Sequence, residues 1–300
     1  MLKNKDYQPI KMNTTYKLLM PIAVFATALF SSCELYNPAE PIPAYIHIQQ
    51  FTLTTKADGT EGSNSHKITD AWVYVDDQII GCFELPVTFP VLSEGTHKVK
   101  ISPGIKVNGI SANRGQYPFY TSYEQDVDFQ KGTTITLSPT VEYKSTAQFV
   151  FLQNFEAAGT TLSITAQSDT IIYEMTDPAH VFEGTKCLAA YVDATRFRFE
   201  CATTSAFGLR TGGSPVFLEF NYKCNYELVV SVIAQGAFSV NQFPALYLNP
   251  SENWNKAYVY LTPTVSGAFT ADDYKIVWGI RNLAGVDSAA VLIDNIKLIQ

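Results

Sequence analysis

The chain has 300 residues, a formal net charge of -7 and a pI near 5.1, with 16% charged and 13% aromatic residues. Charge this sparse, against roughly 25% in typical soluble proteins, combined with abundant aromatic side chains, excludes a disordered chain. The acidic balance leaves no nucleic acid among the expected partners, because binding a phosphate backbone needs clustered Lys and Arg.

Lys3, Lys5, Lys11 and Lys17 precede an uncharged run from Leu18 to Ser32 that stops at Cys33. A basic stretch, a short apolar core and small residues ahead of a cleavage point are the marks of a secretion signal. The run is shorter than the roughly 20 residues that span a bilayer. Phe30-Ser31-Ser32-Cys33 resembles the loose lipobox of Bacteroidetes lipoproteins. That resemblance implies a signal peptide over residues 1–32 and lipid on Cys33, hence an outer-membrane anchor with either the periplasmic or the cell-surface face open. The opposed reading, an uncleaved anchor or buried core helix, fits Pro21 and the abrupt polar change after Cys33 poorly. Met1 and Met12 both remain as starts. Residues 33–43, with Pro38, Pro41 and Pro43, read as a polyproline-like spacer.

From residue 44 the pattern is all-β. Tyr45–Thr55, Ala71–Asp76, Gln78–Phe83, His97–Ser102, Glu124–Phe129 and Thr133–Leu137 are short runs rich in Val, Ile, Thr and aromatics. Turn signals separate them at Ala57-Asp58-Gly59, Ser93-Glu94-Gly95, Ser102-Pro103-Gly104 and Lys131-Gly132. Strands at this spacing, with no 3.6-residue periodicity, predict a sandwich over 44–141. Ala71–Gly81, Leu85-Pro86 and Leu92–Ile101 resemble the PEGA family of small β-sandwich surface modules, with Asp77 in place of the usual turn glycine and Cys82-Phe83-Glu84 read as an insertion. The resemblance implies a spacer or docking module without catalytic residues. A long aromatic loop follows, in which Arg114, Tyr117, Phe119, Tyr120 and Tyr123 are candidates for binding an envelope protein; the alternative is that they seal the interface between two domains.

Residues 138–148 read as a junction, and a second pattern fills 149–300. Asn154-Phe155-Glu156, then Glu183-Gly184-Thr185-Lys186-Cys187-Leu188, then Trp254-Asn255-Lys256 running on to Val259 and Leu261, and finally Asp294-Asn295-Ile296 stand in this order. The order resembles the galactose-binding-like jelly rolls that include many carbohydrate-binding modules. It implies a second, jelly-roll sandwich and a glycan as ligand. It also implies structural Ca²⁺ where first and last strands meet, with Glu156 and Asp294 as ligands, since hard oxygen donors suit that ion. The opposed reading makes Glu156 a strand-end acid and Asp294 a turn cap. The acidic loop Asp58–Asn64 lacks the 12-residue spacing of a calcium loop and reads as a solvated hairpin loop.

A sugar site needs an exposed aromatic face flanked by planar polar groups. Trp254, Tyr191, Arg210, Tyr226, Arg281 and Asn282 fall in turns or at strand ends and are the candidates, with core or edge packing as the alternative for each. Trp278 alternates with Tyr274, Ile276 and Ile280 and reads as core. Catalytic signatures are missing: there is no nucleophile elbow, H-E-x-x-H helix, P-loop or Rossmann glycine run. Of the four histidines only His180, close to Asp177, sits in a loop suited to chemistry. Beyond Cys33, the cysteines Cys82, Cys187, Cys201 and Cys224 allow at most one bridge or stay free. The reading is thus a non-catalytic lipoprotein that binds glycan through its jelly roll. Its rivals are an assembly subunit of an outer-membrane complex and a polysaccharide-active enzyme, the last requiring two carboxylates across a cleft.

Overall fold

The computed structural model describes residues 40–268, 270–280 and 287–300. The signal segment, Cys33, most of the spacer, Arg281 and Asn282 lie outside the described residues. Among the described residues no helix is long and apolar enough to cross a membrane. Ala44–Gln300 forms one compact unit. That unit is all-β, as the alternation of apolar residues requires, and it contains two sandwiches.

In the first sandwich, β1 (Ala44–Ile48) lies between antiparallel β5 (Val87–Val91) and parallel β9 (Thr134–Leu137). Beside it β2 (Thr52–Thr54) pairs in parallel with β10 (Thr140–Glu142). The other sheet runs β4 (Gln78–Glu84), β3 (Asp70–Val75), β6 (Gly95–Lys106), with β7 (Arg114–Gln116) and β8 (Tyr123–Phe129) both on the free edge of β6. Ile46, Ile48, Val73, Val99 and Ile101 alternate inward to form its core. The β3–β4 turn takes positive φ at both Asp76 (48°) and Asp77 (62°), the type I′ geometry that suits the twist of a hairpin. Asp76 is held there because its carboxylate accepts His97 Nδ1 at 2.6 Å and the backbone N–H of Lys98 at 3.0 Å.

One expectation changes. Ser102-Pro103-Gly104 is not a turn but the interior of the 12-residue β6. Gly104 permits this, since a Cβ there would stand 2.8 Å from Asp70 Cβ. Cys82-Phe83-Glu84 forms the end of β4. The stretch 138–148, between the two sandwiches, contains β10 and the buried Tyr143.

The second sandwich has a six-stranded sheet in the order β13 (Ile172–Met175), β14 (Cys187–Asp193), β21 (Ser288–Ile299), β16 (Phe217–Cys224), β19 (Ser251–Tyr260), with β11 (Phe149–Gln153) also on β21. Its partner sheet runs β12 (Leu162–Ile164), β15 (Phe199–Thr203), β20 (Asp273–Ile280), β17 (Leu228–Gln235), β18 (Val240–Leu248). The core between them includes Leu218, Phe220, Val230, Ile276, Ile293 and Trp278, which is fully buried and meets Phe220 edge to face with ring centres 5.9 Å apart. Cys82, Cys187, Cys201 and Cys224 are all free thiols. Burial pushes Cys187 and Cys201 up to about 12, so neither is a ready nucleophile.

The two sandwiches share a core. Phe217, Tyr258 and Ile299 of the second pack into the apolar cluster of the first. The aromatic loop supplies the contact: Tyr117, Phe119 and Tyr120 are buried, with the Tyr117 ring centre 5.1 Å from Phe217 and 5.0 Å from Tyr258. These three side chains therefore seal an internal interface and are not offered to another protein. Arg114 is held within its own sandwich by Asp70 at 3.2 Å and Glu84 at 2.9 Å, and Tyr123 is half-buried on β8. The Asp58–Asn64 loop is likewise less solvated than its composition implies. Glu61 is buried, accepting the Lys56 backbone N–H at 3.0 Å, and the Ser63 carbonyl accepts Lys297.

Candidate functional site

One face of the six-stranded sheet points away from the core of the second sandwich. Along β16 the residues on that face are Phe217, Glu219, Asn221 and Lys223, because their neighbours Leu218, Phe220 and Tyr222 point inward. Register continues the rows across β21, setting Glu219 beside Lys297, Asn221 beside Asp294 and Lys223 beside Leu292. Half of this face is covered by the first sandwich and half is open.

The covered half is a buried polar network. Glu219, fully buried, accepts the Tyr117 hydroxyl at 2.7 Å and the Tyr143 hydroxyl at 3.0 Å, and pairs with the Lys256 ammonium at 3.0 Å. Burial pushes its carboxyl up, but Lys256, Lys297 and the Tyr117 hydroxyl together hold it below the usual range. Lys297 donates to the Ser63 carbonyl and to Tyr143 at 3.1 Å, and burial lowers it to about 8. Ser65 bonds Asn221, and the Lys67 backbone N–H donates to the Tyr258 hydroxyl at 3.1 Å. His66, read from sequence as part of a polar loop, is pushed down by burial and by Lys256.

The open half is a trough. On β14 and β21 the register pairs Ala189 with Leu292 and Tyr191 with Ala290, so the two central strands offer mainly small or flat side chains. Larger groups stand at the sides, and the result is a cleft of about 330 Å³ lined by His180, Tyr191, Lys223, Asn225, Ser251, Glu252 and Leu292, among others. That volume lies at the low end of small-ligand sites, which run from about 300 to 1,000 Å³. Tyr191 is 42% exposed at one wall, with its ring centre 5.8 Å from that of Tyr173. Its backbone is fixed where Thr170 donates its hydroxyl to the Tyr191 carbonyl at 2.8 Å. His180 is set by a tight turn in which its N–H reaches the Asp177 carbonyl at 2.8 Å. Asn225 accepts the Ala290 N–H at 2.7 Å, which fixes the amide at the strand end.

Of the residues nominated from sequence, Tyr191 lies in this cleft and Trp254 beside it. Trp254 is half-buried against Cys187, Ala189 and Leu292, its ring centre 5.4 Å from Phe182, so it buttresses the floor more than it presents a platform. Tyr226 packs partly into the core next to Asn225. Arg210 is elsewhere: its N–H donates to Gln300 at 2.8 Å, beyond the far end of β21 from Ala290. Lys223, Ser251, Glu252 and Ala290 were not nominated. The small residues in apolar strands, Ala189 and Ala290, were the available signal for a trough.

Glu156 and Asp294 end up in one another's field, but their oxygens are already engaged. Glu156 accepts the N–H groups of Thr185 at 2.9 Å and Lys186 at 3.0 Å and the Thr185 hydroxyl at 2.7 Å, clamping the loop after Gly184. Asp294 is buried and accepts the Asn295 N–H at 2.8 Å; burial raises it to about 7, with Glu183 and Glu156 adding to the rise. Among the described residues no group of three or more His, Cys, Asp or Glu side chains is placed to hold a metal ion.

No protein-family model matches the chain, and no curated protein matches it. Among solved structures, the chain is similar to carbohydrate-binding modules of the β-sandwich superfamily at 12% identity, over 77% of this chain and 85% of the other, with a TM-score of 0.38. It is similar to a family 11 carbohydrate-binding module from Clostridium thermocellum, in complex with a β-1,3-1,4-mixed-linked tetrasaccharide, at 12% identity, over 51% and 94% of the two chains, TM-score 0.36. It is also similar to the K2 cleaved adhesin domain of Lys-gingipain at 10% identity, over 52% and 98%, TM-score 0.35. Likeness at this level does not say what the chain binds. The strand order and the shared core define it independently as a two-sandwich β protein.

Proposed function

We propose that the chain is a non-catalytic binding protein that presents the open cleft of its second sandwich to a glycan. The observation that carries the reading is Tyr191. An exposed aromatic ring stands over a floor of Ala290 and Leu292, with Asn225, Ser251, Glu252 and His180 around it. A pyranose stacks its apolar face on such a ring while side-chain amides, hydroxyls and carboxylates bond its hydroxyls. The non-catalytic part of the reading is supported by the acid count at the cleft. Glu252 is the single carboxylate among its described lining residues, and glycoside hydrolysis uses a facing pair. Lipid attachment at Cys33 and an outer-membrane location belong to the same proposal and are supported by the sequence alone. Binding of the full-length chain to a polysaccharide panel tests the reading. Tyr191→Ala is expected to abolish retention at unchanged melting temperature, and retention equal to wild type would remove the cleft as the site.

A protein partner in an envelope complex is the second reading. It is favoured by the edge strand β18, where Val240, Phe243 and Tyr247 are exposed and Phe238 stands free just before the strand. Co-purification of a stoichiometric partner that Phe238→Ser and Tyr247→Ser release, without glycan retention by the wild type, would favour it.

A further inference from the structure

Resting on the glycan reading of the cleft, we infer that its ligand is acidic, a glycan bearing carboxylate or sulfate groups, and that Lys223 is the residue that selects it. Among the described residues Lys223 is the one lysine with neither ion pair, hydrogen bond nor ring contact. From Lys56 onward every other lysine holds a carboxylate, an amide, hydroxyl or carbonyl oxygen, or an aromatic face.

The place of Lys223 makes that isolation informative. A lysine without a partner is ordinary where its stem runs out into solvent. Lys223 instead sits half-buried on a sheet face, beside Leu292, on the strand whose previous outward residues Glu219 and Asn221 are both fully engaged. Its stem packs on the sheet face while no counter-charge within the chain meets the ammonium, so folding gains no ion pair from the charge. Besides Tyr191 and Cys224, whose ordinary ionisation lies above neutral pH, the other ionisable groups lining the cleft are His180 and Glu252. Glu252 is exposed on the rim and makes no ion pair with Lys223, although both line one small cleft. The ammonium therefore remains available to a group that enters from outside.

A neutral glycan would leave that ammonium as it is. A uronate or sulfate on a ring stacked at Tyr191 would supply the missing counter-charge, while Glu252 and Asn225 remain for hydroxyls. The protein as a whole carries -7, so its general field repels polyanions. Selection of an acidic ligand then has to come from a local cation, and the cleft offers this one.

The test measures retention of the full-length chain on polygalacturonate, alginate and chondroitin sulfate and on the uncharged galactan, xylan and glucomannan. The expected result is preference for acidic polymers that weakens as NaCl is raised. Lys223→Gln should weaken it by about tenfold, the scale of one charge-assisted hydrogen bond, with Lys223→Arg restoring most of it and melting temperatures unchanged in both. Equal retention on uncharged polymers, or acidic binding indifferent to Lys223→Gln, would overturn the inference and leave the glycan reading standing. Absence of binding to every polymer would overturn both.

Discussion

The two halves of one sheet face, built on the same strands, treat their polar residues in opposite ways. Under the first sandwich Glu219, Lys256 and Lys297 are buried, but Glu219 pairs with Lys256 and accepts the Tyr117 and Tyr143 hydroxyls, and the Ser63 carbonyl accepts Lys297. Four residues further along β16 from Glu219, Lys223 is half-exposed and unanswered, and Tyr191 across the cleft is exposed. A polar group satisfied within the chain serves the fold. One left unsatisfied beside an exposed aromatic is placed for a ligand.

The largest expected effect comes from breaking the covered half. Glu219→Ala removes the one counter-charge of Lys256 and a neighbour of Lys297, and loss of one partner from a buried ion pair costs about 3–5 kcal/mol. Urea denaturation should show a lower midpoint, and a shift under 1 kcal/mol, by the scale of an exposed pair, would mean the network is not closed to water. Tyr143→Phe is milder. It strips one hydroxyl from Glu219 and Lys297, and an unsatisfied buried partner costs about 1–3 kcal/mol.

Acidity probes the boundary between the halves. The folded Asp294 titrates at about 7 against an ordinary 3.8. Between those values only the folded state keeps the proton, so this group's contribution is full below pH 4 and is lost as pH rises to 7. Stability measured by denaturation at several pH values should carry that downward slope, and Asp294→Asn should flatten it; an unchanged slope would assign it to other groups. The smallest effects on folding belong to the open half. Lys223→Gln and Tyr191→Ala should each shift stability by no more than about 0.5 kcal/mol, as surface changes do, while abolishing or weakening binding. A large loss of stability from either would move that residue to the structural side of the comparison.

The strands were legible because their apolar residues alternate, and Trp278 was read correctly as core on that ground alone. β6 was cut short at Pro103-Gly104, since the local turn signal is real and only the close approach of Asp70 and Trp72 overrides it. The interface was less legible, because Tyr117 and Tyr143 reach Glu219 across 102 and 76 residues of sequence. Local pattern marked the aromatic loop as unusual and could not say that it closes inward. At the cleft, Tyr191 lies inside β14 and not in a turn or at a strand end, so its place on the sheet face was not legible from local pattern. Lys223 escaped notice because a lone lysine in a strand acquires meaning only when register shows that its neighbours are paired and it is not.

The most direct test of the comparison is amide chemical-shift mapping of the full-length chain, titrated with an oligosaccharide of a retained acidic polymer. The result expected is perturbation concentrated at residues 189–191, 223–225, 251–252 and 290–292, with Tyr117, Tyr143 and Glu219 unmoved. Perturbation centred on β18, or on the covered half, would contradict it.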